Sequence, residues 1–187
     1  FRGIALLSLV GIITYLTGSV QISKNSSTVS MAFLVGLIFF ICQGTWKELM
    51  YRAYLMPHFS KKFDNIPSII VTSIIFTLGH ALNPNMQFMP TVNLFIASLV
   101  FSLVYYYSGN LILVGFGHGL WNFTQGFIFG SEVSGNVLPA SLLKSTPVSS
   151  YDFISGGGFG FEGGIITSIV GVIIIIFIVN MIKKMSL

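Results

Sequence analysis

The sequence predicts an all-α membrane protein, a polytopic transmembrane helical bundle of about six spans. Of its 187 residues, 53% are hydrophobic and 7% charged, whereas an ordinary soluble domain is about 25% charged. Several apolar runs approach or exceed the roughly 20 residues that a helix needs to cross the hydrocarbon. None of them alternates apolar and polar residues as the wall of an outer-membrane barrel would. The chain is therefore expected to be a multi-pass integral membrane protein, with the lipid bilayer as its solvent and the bacterial cytoplasmic membrane as its place. Residues 1–187 read as a single membrane-embedded domain, with no soluble domain and no internal repeat.

The first span runs from about Ile4 to Val20, and a polar loop, QISKNSSTVS, follows it. The second begins near Met31, passes through FLVGLIFFICQGTW and ends near the loop HFSKKFDN. The third covers roughly Ile66 to Leu82 and closes on NPN, where Pro84 and its flanking asparagines suit a turn. The fourth, from about Thr91 to Tyr107, stops at Ser108-Gly109; the fifth extends from Asn110 to about Phe129, and the last from about Gly164 to Ile182. Between the last two lies a long, polar, glycine-rich loop, Ser131 to Gly163, with room for a short re-entrant or interfacial piece. The lone cysteine, Cys42, excludes an internal disulfide or a cysteine-based metal cluster and reads as a small packing residue. The chain opens at Phe1 and is apolar almost at once, without a visible signal peptide, so it is expected to be a fragment.

Charge gives an orientation. Six spans place Arg2, Lys61, Lys62, Lys183 and Lys184 on one side, and Lys24, Lys144, Glu132, Asp152 and Glu162 on the other. By the positive-inside rule the first side is cytoplasmic. The formal charge of +4 thus reports topology, and no nucleic-acid partner is expected, because no basic stripe interleaved with aromatics is present.

Polar residues inside the spans are candidate site residues, since a charge at the bilayer centre costs roughly 2.5–3.5 kcal/mol on insertion scales. The stretch WKELMYRAYL carries Lys47, Glu48 and Arg52, the last two spaced four apart on one helix face. His80 ends the third span in FTLGHAL, and His118 and Asn122, again four apart, sit in the fifth as HGLWN. Singly, each has a plainer reading. Glu48 and Arg52 would serve as a structural ion pair, a histidine as a packing residue, and Asn122 as an interhelical hydrogen bond worth about 0.6 kcal/mol. Together, on three separate spans, they form an active-site inventory: a carboxylate, two imidazoles able to bind a metal or an oxyanion, and an amide donor.

The ordered set KELMYR (47–52), FTLGH (76–80) and HGLWN (118–122) resembles the CPBP family of intramembrane endopeptidases, which includes the CAAX prenyl-protein proteases and bacterial bacteriocin-processing or immunity proteins of Abi type. The resemblance covers about residues 31–182, and the tail GGGFGFEGGIITSIV is similar to the last span of many bacterial members. It implies a protease whose site is Glu48, His80, His118 and Asn122, with Arg52 as ion-pair partner. A family member usually opens the first motif with two glutamates, the first taken as the base that activates water. Here that position is Lys47.

Two functions follow. In one, the chain hydrolyses a peptide bond of a peptide or membrane-protein precursor: Glu48 or Lys47 activates water, His80 assists, and His118 with Asn122 stabilises the oxyanion. In the other it is a catalytically impaired scaffold, regulator or immunity protein that binds its peptide or membrane partner in the polar groove. A proton-relaying transporter is a third reading, without a broken-helix repeat to support it. No cofactor is firmly expected; a zinc ion on His80 and His118, with Glu48, is the possible one. With a lysine at 47, the chain is expected to cleave poorly and Lys47→Glu to raise turnover; if Glu48 has taken over as base, Glu48→Gln abolishes cleavage and Lys47→Glu changes little.

Overall fold

The computed structural model describes residues 2–25 and 31–185, so part of the loop after the first span, residues 26–30, lies outside the described residues. Each of the six expected spans is helical. Helix α1 covers Arg2–Leu16. Helix α2 (Met31–Glu48) continues without a break through a π-helical stretch, Leu49–Leu55, into α3 (Met56–Phe63). Then come α4 (Asn65–Leu78), α5 (Phe88–Ser108) and α6 (Leu111–Phe123), which widens into a second π-helical stretch, Thr124–Ile128. The one-turn α7 (Asp152–Ser155) and the long α8 (Ile165–Met185) complete the α-helices among the described residues.

Among the described residues, three helices are long and apolar enough to cross a membrane: Met31–Phe63, Phe88–Ser108 and Ile165–Lys184, of 33, 21 and 20 residues. Large apolar side chains such as Leu34, Ile38 and Phe39 on α2 and Ile173, Ile176 and Phe177 on α8 face outward, as lipid-facing surfaces should. Cys42 is exposed on the same outer surface. The reading of Cys42 as a small packing residue is thereby corrected: it lies one turn beyond Ile38 and shares its outward face.

Two features depart from the expected all-helical pattern. The first span stops at Leu16, four residues early, because Gly18 takes a left-handed φ of 69° and turns the chain into β1 (Val20–Lys24). That strand pairs antiparallel with β2 (Leu143–Pro147), from Val20 opposite Pro147 to Lys24 opposite Leu143. The segment expected to be a loop, Ser131 to Gly163, is thus partly ordered. Val20 and Ile22 turn toward α1 and α8, joining Leu7, Val10, Phe161 and Ile166 in one apolar cluster.

The second feature is the shortness of α4. Its 14 residues span ~21 Å at 1.5 Å per residue, against a hydrocarbon thickness of about 30 Å. Its C-terminal turn therefore falls at membrane depth, where irregular backbone is tolerated only when buried in protein. The glycine-rich loop provides that cover. The Nδ2 of Asn83 donates to the Ser134 carbonyl at 3.1 Å and that of Asn85 to the Gly158 carbonyl at 2.9 Å.

Helix α2 packs most extensively on α6, while α5 lies between α4 and α8. Small residues set the α2–α6 approach. A Cβ on Gly119 would come within 2.5 Å of the Phe40 carbonyl oxygen, and one on Gly44 within 2.6 Å of the Gly119 nitrogen. Such close backbone contact drives association in lipid, where apolar burial contributes little.

Candidate active site

This close approach carries Glu48 to His118. The Nδ1–H of His118 donates to Glu48 Oε1 at 2.7 Å, and the other carboxylate oxygen, Oε2, lies 3.1 Å from Arg52 Nε. Glu48 and Arg52 are completely buried. The pair is an ion pair off hydrogen-bond geometry; the guanidinium makes its hydrogen bonds through Nη2, to the Ser98 carbonyl at 2.9 Å and its hydroxyl at 2.6 Å. Its flat face lies over Phe76, 4.7 Å from the ring centroid. Arg52 is therefore held by a carboxylate, a serine and an aromatic ring, the means by which a buried guanidinium is tolerated.

Both motif helices widen beside these residues: one π-helical stretch follows Glu48 directly, the other begins two residues after Asn122. Such π segments recur at functional sites, because the wider turn re-aims side chains. His118 also stacks on Phe101, with ring centroids 4.7 Å apart and planes 13° off parallel. Its Nδ1 is committed to Glu48, and Nε2 has no hydrogen-bond partner among the described residues.

His80 is the second imidazole. It lies in the turn after α4, buried, with its ring 4.6 Å from that of Phe76. Nδ1 bonds the Phe76 carbonyl at 2.8 Å, and Nε2 lies 2.9 Å from Lys47 Nζ. A carbonyl only accepts, so Nδ1 carries a proton and Nε2 and Nζ share the next one. Asn122, buried one turn beyond His118, donates from Nδ2 to Gln43 Oε1 at 3.2 Å.

The structure thus joins Glu48, Arg52 and His118 directly, joins Lys47 to His80, and places Phe76 against both imidazoles, 6.2 Å from that of His118. It ties Asn122 to Gln43 rather than to the other candidates. The donors do not fit the three-ligand zinc considered from the sequence. His80 offers one nitrogen to a carbonyl and the other to an ammonium, and the Glu48 oxygens serve His118 and Arg52. Among the described residues no three His, Cys, Asp or Glu side chains are grouped to hold a metal ion.

One residue at this site entered the sequence reading only as a loop charge. Glu162 sits in a one-turn 3-10 helix, Phe161–Gly163, just before α8. Its Oε2 accepts from the Ser134 backbone N–H at 3.0 Å and from the Ser134 hydroxyl at 2.8 Å. Burial pushes its carboxyl above the usual range, against the downward pull of the Ser134 hydroxyl, His118 and Lys47.

Fold and site together define a polytopic helical membrane protein with a buried carboxylate–imidazole constellation where three helices meet. Residues 29–124, just over half of the chain and including all three motifs, match the family described as Type II CAAX prenyl endopeptidase Rce1-like, and the chain belongs to that family. Its members are membrane proteases, in agreement with the CPBP resemblance of the motifs. No curated protein and no solved structure matches the chain.

Proposed function

We infer that the chain is an intramembrane endopeptidase, hydrolysing a peptide bond of a peptide or protein precursor presented from the membrane. The observation that carries this is the Glu48–His118 contact, which fixes the imidazole through Nδ1 and leaves Nε2 for chemistry. Glu48 acts here as a positioning residue, its two oxygens engaged by His118 and Arg52. His118, with Asn122 one turn away, is suited to stabilise an oxyanion on the scissile carbonyl, in a site dry enough to make each donor count. His80, whose Nε2 shares a proton with Lys47, supplies the proton-transfer partner.

The test is incubation of the purified chain in lipid with membrane-anchored peptides, prenylated and unmodified, and mass spectrometry of the products. Cleavage at one defined bond is expected. A second reading, a catalytically impaired scaffold, regulator or immunity protein, is favoured by the contact of Lys47 with His80 Nε2, which occupies a lone pair that catalysis needs. It calls for binding of the same peptides without cleavage.

The occupied donors support hydrolysis without a resident zinc ion. Purified protein is expected to carry far less than one zinc per chain and to keep its cleavage rate in a chelator. Stoichiometric zinc that disappears on His80→Ala or His118→Ala would refute this. The lysines at 61, 62, 183 and 184 are read as cytoplasmic, in a bacterial cytoplasmic membrane, with the glycine-rich loop on the opposite side.

A further inference from the structure

Glu162 is a half-buried carboxylate with no part in the chemistry above, and the fold holds it with unusual care. Asn93 of α5, buried, spends both Nδ2 hydrogens on its turn, bonding the Glu162 carbonyl at 2.7 Å and the Gly164 carbonyl at 2.8 Å. Its Oδ1 in turn accepts from the Ser168 hydroxyl on α8. Ser134 fixes the carboxylate through Oε2, and Oε1 accepts no hydrogen bond among the described residues. Phe159, three residues earlier, packs with Phe76, the ring lying against both imidazoles. The turn is thereby seated over the site through the packing of Phe159 on Phe76, and Lys47 and His118 act electrostatically on the Glu162 carboxyl.

We propose that Glu162 is the general base of this site, a carboxylate delivered from the loop before α8 to activate the hydrolytic water beside His118 and Lys47. The proposal rests on the endopeptidase reading above. Oε1 takes a proton from water as the water oxygen bonds to the peptide carbonyl carbon, and the carbonyl electrons move to the oxygen to form the oxyanion. When the carbonyl re-forms and the C–N bond breaks, that proton passes to the leaving nitrogen. Water and peptide become a carboxyl and an amine, and Glu162 returns to its carboxylate. A base with a raised pKa is well matched to such work near neutral pH.

The experiment compares the unaltered chain with Glu162→Gln, Glu162→Asp and the double variant Lys47→Glu/Glu162→Gln on one cleaved peptide, across pH. Glu162→Gln should lower kcat/KM by about 10²–10⁴-fold, the usual contribution of a general base. It should also remove the fall in rate on the acid side. Glu162→Asp should recover part of the rate, and the double variant should recover more, because position 47 faces the same space. The amide keeps an oxygen for Ser134, so the fold persists. At neutral pH it is expected to melt no lower than the unaltered chain: a desolvated carboxyl with a raised pKa loses the fold stability as pH rises past the ordinary carboxylate range, and the amide removes that slope. Cleavage by Glu162→Gln at an undiminished rate with the same pH profile would overturn the role of Glu162 and leave the endopeptidase reading standing. Peptides bound and left intact by the unaltered chain would overturn both.

Discussion

Glu48→Ala is expected to cost about 3–5 kcal/mol of stability, the usual price of leaving one partner of a buried ion pair without the other. Glu48 and Arg52 are both completely shielded from solvent. With Glu48 gone, the guanidinium keeps Ser98 and the Phe76 face but no counter-charge. The loss should appear as a large drop in melting temperature in detergent or lipid. Glu48→Ala combined with Arg52→Met should recover much of it, because the uncompensated charge leaves with the arginine. A single Glu48→Ala variant that melts with the unaltered chain would show that the pair does not hold α2 in place.

The second large effect is expected at the α2–α6 contact. Gly119→Leu puts a side chain where a Cβ alone would lie 2.5 Å from the Phe40 carbonyl oxygen and 2.7 Å from the Ile41 Cα. Backbone cannot give way as a side chain does, so the helices must part. Overpacking of this kind typically costs about 1–3 kcal/mol. Because Glu48 on α2 positions His118 on α6, separation of the order of 1 Å should also cost about 10²-fold in cleavage. Gly117→Ala is the control. A Cβ there meets nothing within 4 Å, and neither property should change.

The helices were legible because lipid imposes a crude rule: long apolar runs must be helical. All six expected segments are helices, with ends displaced by a few residues. The sheet was not legible. VQISK and LKSTP are short, half-polar and more than a hundred residues apart, so neither carries a local signal of its partner.

At the candidate site, the four-residue spacing of Glu48 and Arg52 announced their contact, and the structure places it at 3.1 Å. The pairing of Glu48 with His118, and of Lys47 with His80, depends on how closely α2 and α6 approach and on where α4 stops. Gly115 and Gly119 form a small-x-x-x-small pattern in the sequence that bears on the first of these. Glu162 could be read only as a charge in a loop, because its position depends on bonds from Asn83, Asn85, Asn93 and Ser134. The gain in turnover expected of Lys47→Glu from the sequence rests on α2 alone. With Glu162 in place, Lys47→Glu in the otherwise unaltered chain should change the rate by less than about tenfold, because general-base help of 10²–10⁴-fold is already supplied.

The most direct measurement is kcat/KM of the unaltered chain and of His118→Ala on the same membrane-anchored peptide, with both proteins first shown to be folded by their melting temperatures. The account predicts cleavage at one bond by the unaltered chain and a fall of at least about 10²-fold in the variant, the scale of losing one oxyanion donor. Equal rates from the two proteins, or binding without any cleavage by the unaltered chain, would contradict it.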